Sequence, residues 1–348
     1  MNKFKQFLKR KDITFSVKRY FIDALGAMAQ GLFASLLIGT ILSTIGQQFG
    51  IETLCTVGTY AKNVQGVAMA IAIGYALKCP PLVLFSLSAV GYAANELGGA
   101  GGAFAVLIIT IVASELGKAV SKETKLDILV TPIVTICSGI LLAIGIASYI
   151  GIAATAVGKV IMWATELRPF LMGIIVSVIV GIALTLPISS AAICAGLSLT
   201  GLAGGAALAG CCAQMIGFAV MSFKENGWGG LFAQGLGTSM LQMGNIVKNP
   251  RIWIAPILTS AIMGPVSTCL FRLEMNGPAV SSGMGTCGLV GQIGVYTGWV
   301  DNGVSITPMH WIGLILVSFL LPAVICPLIN LGLRKIGWVK KDDLKLDL

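Results

Sequence analysis

A long uncharged run constrains this chain more than any other feature of its sequence. From Pro169 to Phe223 there is no Asp, Glu, Lys, Arg or His. A membrane-spanning helix needs about 20 apolar residues, so the run is long enough for two crossings. Only 11% of the 348 residues are charged, far below the share in soluble globular proteins. We therefore expect an all-α polytopic membrane protein.

Apolar runs elsewhere in the sequence predict about ten transmembrane helices in all. They lie near residues 21–46, 63–79, 81–97, 101–119, 128–150, 169–187, 188–201, 203–223, 252–271 and 309–333. An even number of crossings returns the chain to the side on which it began. The positive-inside rule is obeyed in aggregate and not at every residue, which leaves room for an extra crossing or a re-entrant segment near residues 152–165 or 280–300.

Cations concentrate at the two ends of the chain, within residues 3–19 and 334–345. The positive-inside rule then places both ends in the cytoplasm. Attraction to anionic lipids explains the net charge of +9 without a nucleic-acid partner. We expect a basic amphipathic leader over 1–20, one transmembrane domain over 21–333 and a cytoplasmic tail over 334–348.

An internal repeat is indicated by helix-breaking landmarks that occur twice in the same order. The paired landmarks are Ala76–Pro80 with Ala183–Pro187, Gly98–Phe104 with Ala203–Ala209, and Thr131–Thr135 with Ala255–Thr259. The approximate copies cover 63–150 and 169–275. Chance similarity between apolar helices is the alternative. If the repeat is real, a transporter's solute site is expected where the two copies meet.

Glycine, asparagine and proline interrupt the apolar sequence repeatedly between Asn226 and Gly303. Broken backbone at membrane depth is stable only where it is buried in protein or lines an aqueous cavity. Transporters build their solute sites from such breaks. The glycines expected to permit the turns are Gly237, Gly244, Gly283 and Gly285.

Uncharged polar side chains fill these breaks, together with one carboxylate. The candidate solute contacts are Gln242, Asn245, Glu274, Asn276, Thr286 and Gln292, with Glu96 as a further candidate. Amides and hydroxyls donate and accept hydrogen bonds without the cost of burying a charge, which suits a small neutral solute such as a sugar. The alternative is that they only satisfy backbone groups freed by the glycines.

The sequence offers no recognisable catalytic machinery. It contains no phosphate-binding Gly-x-x-x-x-Gly-Lys loop, no Gly-x-Ser-x-Gly elbow and no His-Glu-x-x-His zinc motif. Its one histidine, His310, is expected at the membrane interface, and its nine cysteines are dispersed in apolar segments. We therefore predict no catalytic site, no metal and no cofactor in this chain.

Two stretches, Gly237 to Leu258 and Ser282 to Gly294, resemble enzyme IIC, the membrane component of the bacterial phosphotransferase system. The resemblance extends over nearly the whole chain and is nearest to the subgroup that includes perfringolysin regulator-like membrane proteins. It implies an all-helical homodimer that acts as a sugar permease through an elevator-like movement. It also implies separate IIA and IIB proteins as phosphoryl-carrying partners.

One departure from that family leaves a second interpretation open. Better-known members bind sugar with a Glu beside a Pro and often with a His, whereas here Glu274 is followed by Met275-Asn276-Gly277-Pro278. The usual binding pair therefore has no match in this sequence, which puts coupling to phosphorylation in doubt. The alternative function is a membrane-embedded sensor or regulatory protein that has kept a transporter fold.

Overall fold

The computed structural model describes residues 3–16 and 18–346. Its backbone divides into two compact units, one ending at Ala153 and the other beginning at Ala154. Within the described residues the structure is helical, and the β-type pairing is a single isolated bridge between Gly201 and Met275. The expected all-α polytopic fold is confirmed.

The first unit consists of helices joined by short turns. Their bounds are Lys3–Arg10, Ala24–Leu32, Ile38–Phe49, Glu52–Asn63, Gln65–Ala76, Pro81–Gly98, Gly102–Val120, Asp127–Leu142 and the start of Ser148–Thr165. Wider π-helical turns, Phe33–Leu37 and Ala143–Ala147, connect two pairs of these helices without interrupting the helical path.

The leader is docked against the first unit by its charged residues. Arg19 donates to the Asp12 carboxylate at 2.8 Å and to the Leu77 carbonyl at 2.7 Å. Lys118, whose side chain is 1% exposed, pairs with Glu115 at 2.8 Å and donates to the Asp12 carbonyl at 3.0 Å. A buried ammonium is stable only when it is paired and hydrogen-bonded, so these contacts fix the leader in place.

The second unit carries both polar breaks. Its α-helices are Pro169–Thr185, Ser190–Gly196, Gly201–Met221, Phe223–Phe232, Met243–Lys248, Ile254–Pro265, Val290–Asp301, Pro308–Ile315 and Leu321–Lys335. The π-helical turns Ala233–Gly237 and Val266–Leu270 each end where a polar break begins. Such turns often mark functional positions.

Among the residues that the structure describes, six helices are long and apolar enough to cross a membrane. They are Ala24–Gln47, Pro81–Val120, Asp127–Thr165, Gly201–Met221, Pro250–Leu270 and Pro308–Lys335, and the shorter apolar helices are Gln65–Ala76 and Pro169–Thr185. The 40-residue stretch Pro81–Val120 contains two of the predicted crossings. They separate at Gly99, where φ is +49°.

One predicted crossing, 188–201, differs from the structure. Only Ser190–Gly196 is helical there, which is about 10 Å of rise and too short to span the hydrocarbon core. Pro187 and the turn before Gly201 interrupt the apolar run on both sides. Hydropathy alone does not register those breaks.

Two of the three landmark pairs of the predicted repeat fall at corresponding places in the two units, whereas Gly98–Phe104 crosses a helix break and Ala203–Ala209 lies within the continuous Gly201–Met221 helix. Pro80 and Pro187 each follow the end of one helix and precede the start of the next, while Pro132 and Pro256 both lie near the start of a later helix. The repeat itself remains a prediction, because corresponding breaks do not establish a common origin.

Candidate functional site

The polar breaks of the second unit lie along the Gly201–Met221 helix, which we call the frame helix. An 18-residue window of this helix is 89% buried, against 22% for the corresponding window of Asp127–Thr165. The 21 residues of the frame helix rise about 30 Å, the thickness of the hydrocarbon core. The distance of a residue from Gly201 along this helix therefore indicates how far across the hydrocarbon core that residue lies.

Two predicted solute contacts, Glu274 and Asn276, lie together at the first residue of this helix. Asn276 accepts a hydrogen bond from the Gly201 N–H at 3.1 Å and donates to Glu274 at 3.0 Å. Met275, between them, exchanges two backbone hydrogen bonds of 3.0 Å with Gly201. The break is thus held to the helix end by its own backbone, which leaves the Glu274 carboxylate exposed.

Glu274 lines two adjoining cavities of about 490 and 240 Å³. The larger is also bordered by Arg168 and Arg272, and the smaller by Arg272, Asn276, Trp299 and His310. The smaller volume is below the roughly 300–1,000 Å³ typical of drug-sized ligands. It suits a small solute that meets one carboxylate, one amide and aromatic rings. We call the smaller space the Glu274 cavity.

His310 lies in the Glu274 cavity with a defined ring orientation. Its Nδ1 accepts from the Thr307 N–H at 3.1 Å and lies 2.8 Å from the Thr307 hydroxyl. When Nδ1 accepts, the proton of a neutral imidazole is on Nε2, where it can be donated to a ligand. The ring packs edge-on against Trp299 at 5.3 Å between centroids.

Gln292 lies beside the middle of the frame helix. Its Nε2 donates to the Cys212 sulfur at 3.4 Å, and Cys212 is eleven residues from Gly201, about 16 Å along the helix. Among the described residues, the Gln292 Oε1 and the Ser318 hydroxyl are buried without a hydrogen-bond partner. Unpaired buried polar atoms cost stability, which makes them candidates for a functional role.

Thr286 lies farther from Gly201 along the same helix, beside Met215. Its hydroxyl donates to the Gly235 carbonyl at 2.5 Å and lies 3.6 Å from the Met215 sulfur. The turn just before it needs a left-handed residue, and Gly285 supplies φ +56°. A Cβ at Gly283 would lie 2.6 Å from the Ser190 carbonyl. Both glycines therefore let the backbone pass close to the helices.

Gln242 and Asn245 lie at the far end of the frame helix. Gln234 donates to the Ser222 hydroxyl at 2.9 Å and accepts from Gln242 at 2.9 Å, and Gln242 accepts from Asn245 at 2.8 Å. Ser222 directly follows the helix, about 30 Å from Gly201. The two predicted groups of contacts thus occupy opposite ends of one spanning helix.

The remaining predicted site residues have other surroundings. Glu96 is exposed at the end of the Pro81–Gly98 helix in the first unit. Gly237 closes a π-helical turn and Gly244 lies inside the Met243–Lys248 helix, and neither has a positive φ. Their place in a solute site remains a prediction.

A further buried polar network, centred on Gln214, was not predicted from the sequence. Gln214 accepts from the Trp253 indole N–H at 2.9 Å and from the Thr185 hydroxyl at 3.3 Å, and it donates to Ser260 at 3.3 Å. Thr185 in turn bonds Ser239 at 2.8 Å. The signal was present, because Gln214 is the one amide in the uncharged run from Pro169 to Phe223.

The comparisons with known proteins bear on the whole chain. The family model described as "Phosphotransferase system, EIIC" matches residues 22–346. No curated protein and no solved structure matches the chain. The match spans both units and both polar breaks.

Proposed function

The chain belongs to the phosphotransferase system EIIC family, and from this premise we propose that it is a permease that passes a small polar solute, a sugar, along the Gly201–Met221 helix. Membership makes it a multi-pass membrane component of a sugar transport system, with IIA and IIB components as partners. The path, the solute contacts and the type of movement are our proposal.

The observation that carries the proposal is the succession of polar groups along one spanning helix. Glu274 and Asn276 lie at its first residue, Gln292 near its middle, Thr286 beyond the middle and Gln242 past its end. If this helix crosses the bilayer, groups able to hydrogen-bond to hydroxyls occur at intervals over most of the bilayer's depth. A purely structural role would not require polar groups at each of these depths.

The Glu274 cavity has the chemistry of a sugar site. A carboxylate accepts hydrogen bonds from two hydroxyls, and the Asn276 amide and the Nε2–H of His310 add donors. The Trp299 ring lines the same space and offers an apolar surface for the C–H face of a sugar ring. We expect first contact with solute here.

We further propose elevator-like alternating access, in which the second unit carries the solute. Irregular backbone near the membrane midplane and a repeat that shares helix-breaking positions are features of transporters that work by alternating access. We also propose a homodimer in a bacterial inner membrane with both ends in the cytoplasm. The basic residues at each end support that orientation.

Binding of sugars to the purified full-length chain tests the proposal. Isothermal titration against a panel of hexoses, pentoses, polyols and amino sugars should give saturable binding for at least one sugar. Amino acids and nucleosides serve as controls of similar size. Saturable binding of those solutes with none for any sugar would refute the substrate class.

A second function, sensing in place of transport, is favoured by one observation. The amide donors of Gln242 and Asn245 are engaged by carbonyls of Leu344 and Lys345, so these predicted solute contacts hold a segment of the chain itself. Proteoliposomes made with the purified protein distinguish the two functions. Sugar that binds but does not enter the vesicles would favour a sensor.

A further inference from the structure

Beyond the Leu321–Lys335 helix, residues 338–346 form a non-helical segment packed on the second unit. We call it the closing segment. Val339 and Leu344 are 2% and 0% exposed, and the Arg251 guanidinium lies 5.4 Å from the centroid of the Trp338 ring. The segment is therefore anchored by side chains near both of its ends.

Side-chain amides of the second unit hold the backbone of the closing segment. Asn226 and Gln242 both donate to the Leu344 carbonyl, at 2.8 and 3.0 Å. Asn245 donates to the next carbonyl, that of Lys345, at 2.8 Å. Three amides from separate positions thus converge on two consecutive peptide groups.

Two asparagines make further hydrogen bonds with the closing segment, of the kind that a paired β-strand would make with its backbone. Asn226 also accepts from the Leu346 N–H at 2.8 Å, so its single amide both donates to and accepts from the segment. Asn249 donates to the Trp338 carbonyl at 3.0 Å and to the Asp343 carboxylate at 2.8 Å. Most of these bonds recognise backbone, which every peptide shares.

We propose that Asn226, Gln242, Asn245 and Asn249 form a peptide-backbone binding site whose resident ligand is the closing segment, and that this ligand can leave. Main-chain hydrogen bonds supply affinity in known peptide sites, while pockets for individual side chains supply specificity. Here the buried Leu344 side chain provides the specificity.

The backbone around the segment allows it to leave without unfolding the helix before it. Gly337, with φ +75°, lies between that helix and the closing segment. The helix end is fixed independently, because Arg334 pairs with Glu225 at 2.5 Å. Once the segment leaves, the freed amides can form hydrogen bonds with water instead, since each has donors and an acceptor. If the proposed function holds, departure of the segment opens the amide end of the solute path.

Peptide binding in trans tests this site without relying on transport. The receptor is the full-length Leu344→Asp chain, in which a charge at a fully buried position should release the chain's own segment. A fluorescein-labelled peptide with the wild-type sequence of residues 338–348 is then titrated and followed by anisotropy. We expect saturable binding, and much weaker binding to the wild-type chain, because its own segment competes at high effective concentration.

Matched variants locate the peptide on the proposed residues. Adding Asn226→Ala to the Leu344→Asp chain removes two hydrogen bonds and should weaken peptide binding about tenfold or more. Adding Asn302→Ala should leave it unchanged, because the Asn302 amide bonds its own helix at Gly298. Equal weakening by both variants would overturn the assignment.

Hydrogen exchange on the wild-type chain keeps the proposal testable if the Leu344→Asp protein does not fold. The Leu346 amide should exchange slowly in the wild type and faster in Asn226→Ala. Fast exchange in the wild type would overturn the docking. Slow exchange combined with no trans binding to a monodisperse Leu344→Asp chain would show that the segment is part of the fold and not a ligand.

The outcome for transport is separate from the outcome for peptide binding. Peptide binding with no sugar bound by any variant would leave the peptide site standing and remove the proposed function. Sugar uptake by the wild type that is not faster in Leu344→Asp would remove the gating role alone.

Discussion

The carbonyl oxygen of Leu273 lies so close to Gly205 that a Cβ on residue 205 would be 1.7 Å from it. This contact joins the break that carries Glu274 to the frame helix one turn beyond Gly201. Only glycine permits it, because any side chain would occupy the position of the carbonyl. The geometry of the Glu274 cavity therefore depends on a residue that does not line it.

Gly205→Ala should displace that break. We expect a loss of about 1–3 kcal/mol of stability from overpacking, seen as a lower unfolding midpoint in detergent. Gly332→Ala is the matched control, because a Cβ there meets nothing within 4 Å. That variant should be neutral or more stable, since alanine favours helix over glycine. An unchanged midpoint for Gly205→Ala would contradict the contact.

Gln292→Met should weaken sugar binding without lowering the stability of the fold. The substitution keeps the side-chain length and removes the buried, unpaired Oε1, so stability should stay the same or rise by about 1 kcal/mol. Binding of the cognate sugar should weaken about tenfold if Gln292 contacts it. A thermal melt and a titration on the same preparation measure both. Lower stability with unchanged affinity would assign Gln292 a structural role.

Gln214→Leu should be strongly destabilising, by about 2–4 kcal/mol, because it leaves the Trp253 N–H and the Ser260 hydroxyl without this partner. Thr110→Val provides the contrast. The Thr110 hydroxyl is buried and has no partner among the described residues, so its removal should be neutral or stabilising. Unfolding midpoints of the two variants are compared directly. Equal midpoints would show that the Gln214 network contributes nothing.

Hydropathy predicted most of the apolar helices, because about 20 apolar residues in succession have few other stable folds. Hydropathy wrongly predicted a crossing at 188–201, because helix-breaking residues decide the structure there. Glycine and proline correctly indicated broken backbone between Asn226 and Gly303. They could not indicate how the broken backbone lies against Gly201–Met221.

The residue types in the candidate site could be predicted from the sequence, but their hydrogen-bond partners could not. Gln242 and Asn245 are buried polar residues, as a break should contain, but their partners are backbone carbonyls about a hundred residues later in the chain. Every residue has a carbonyl, so no sequence pattern identifies which one is used. The sequence led us to expect His310 at the membrane interface and not in a site for a related reason, since only tertiary packing brings it beside Trp299 and into the Glu274 cavity.

The ion pair between Asp12 and Arg19, within the leader, should make the stability of the fold depend on pH. The hydrogen bond from Arg19 is the main cause that lowers the pKa of the Asp12 carboxyl below its ordinary 3.8. A lowered folded pKa means that the carboxylate stabilises the folded state above pH 3.8, and that this contribution is lost as the pH falls through the folded value. Asp12→Asn should therefore lower the unfolding midpoint at pH 7 by an amount that shrinks as the pH falls below 3.8.

The double variant Asp12→Asn with Arg19→Gln serves as the control for that experiment. Once Asp12 is changed, the further change at Arg19 should cost less than it does in the wild type, because the shared bond is already gone. A midpoint difference between wild type and Asp12→Asn that persists unchanged at pH 3 would contradict the ion pair.

The most direct test of a solute path that begins at the Glu274 cavity is the affinity of the cognate sugar for Glu274→Gln, compared with Glu166→Gln. Glu166 is an exposed glutamate of the same unit and does not line the cavity. We predict that Glu274→Gln weakens binding at least tenfold, because hydrogen bonds to a charged group are worth about 1.5–3 kcal/mol, while Glu166→Gln binds like the wild type. Wild-type affinity in Glu274→Gln would contradict the account.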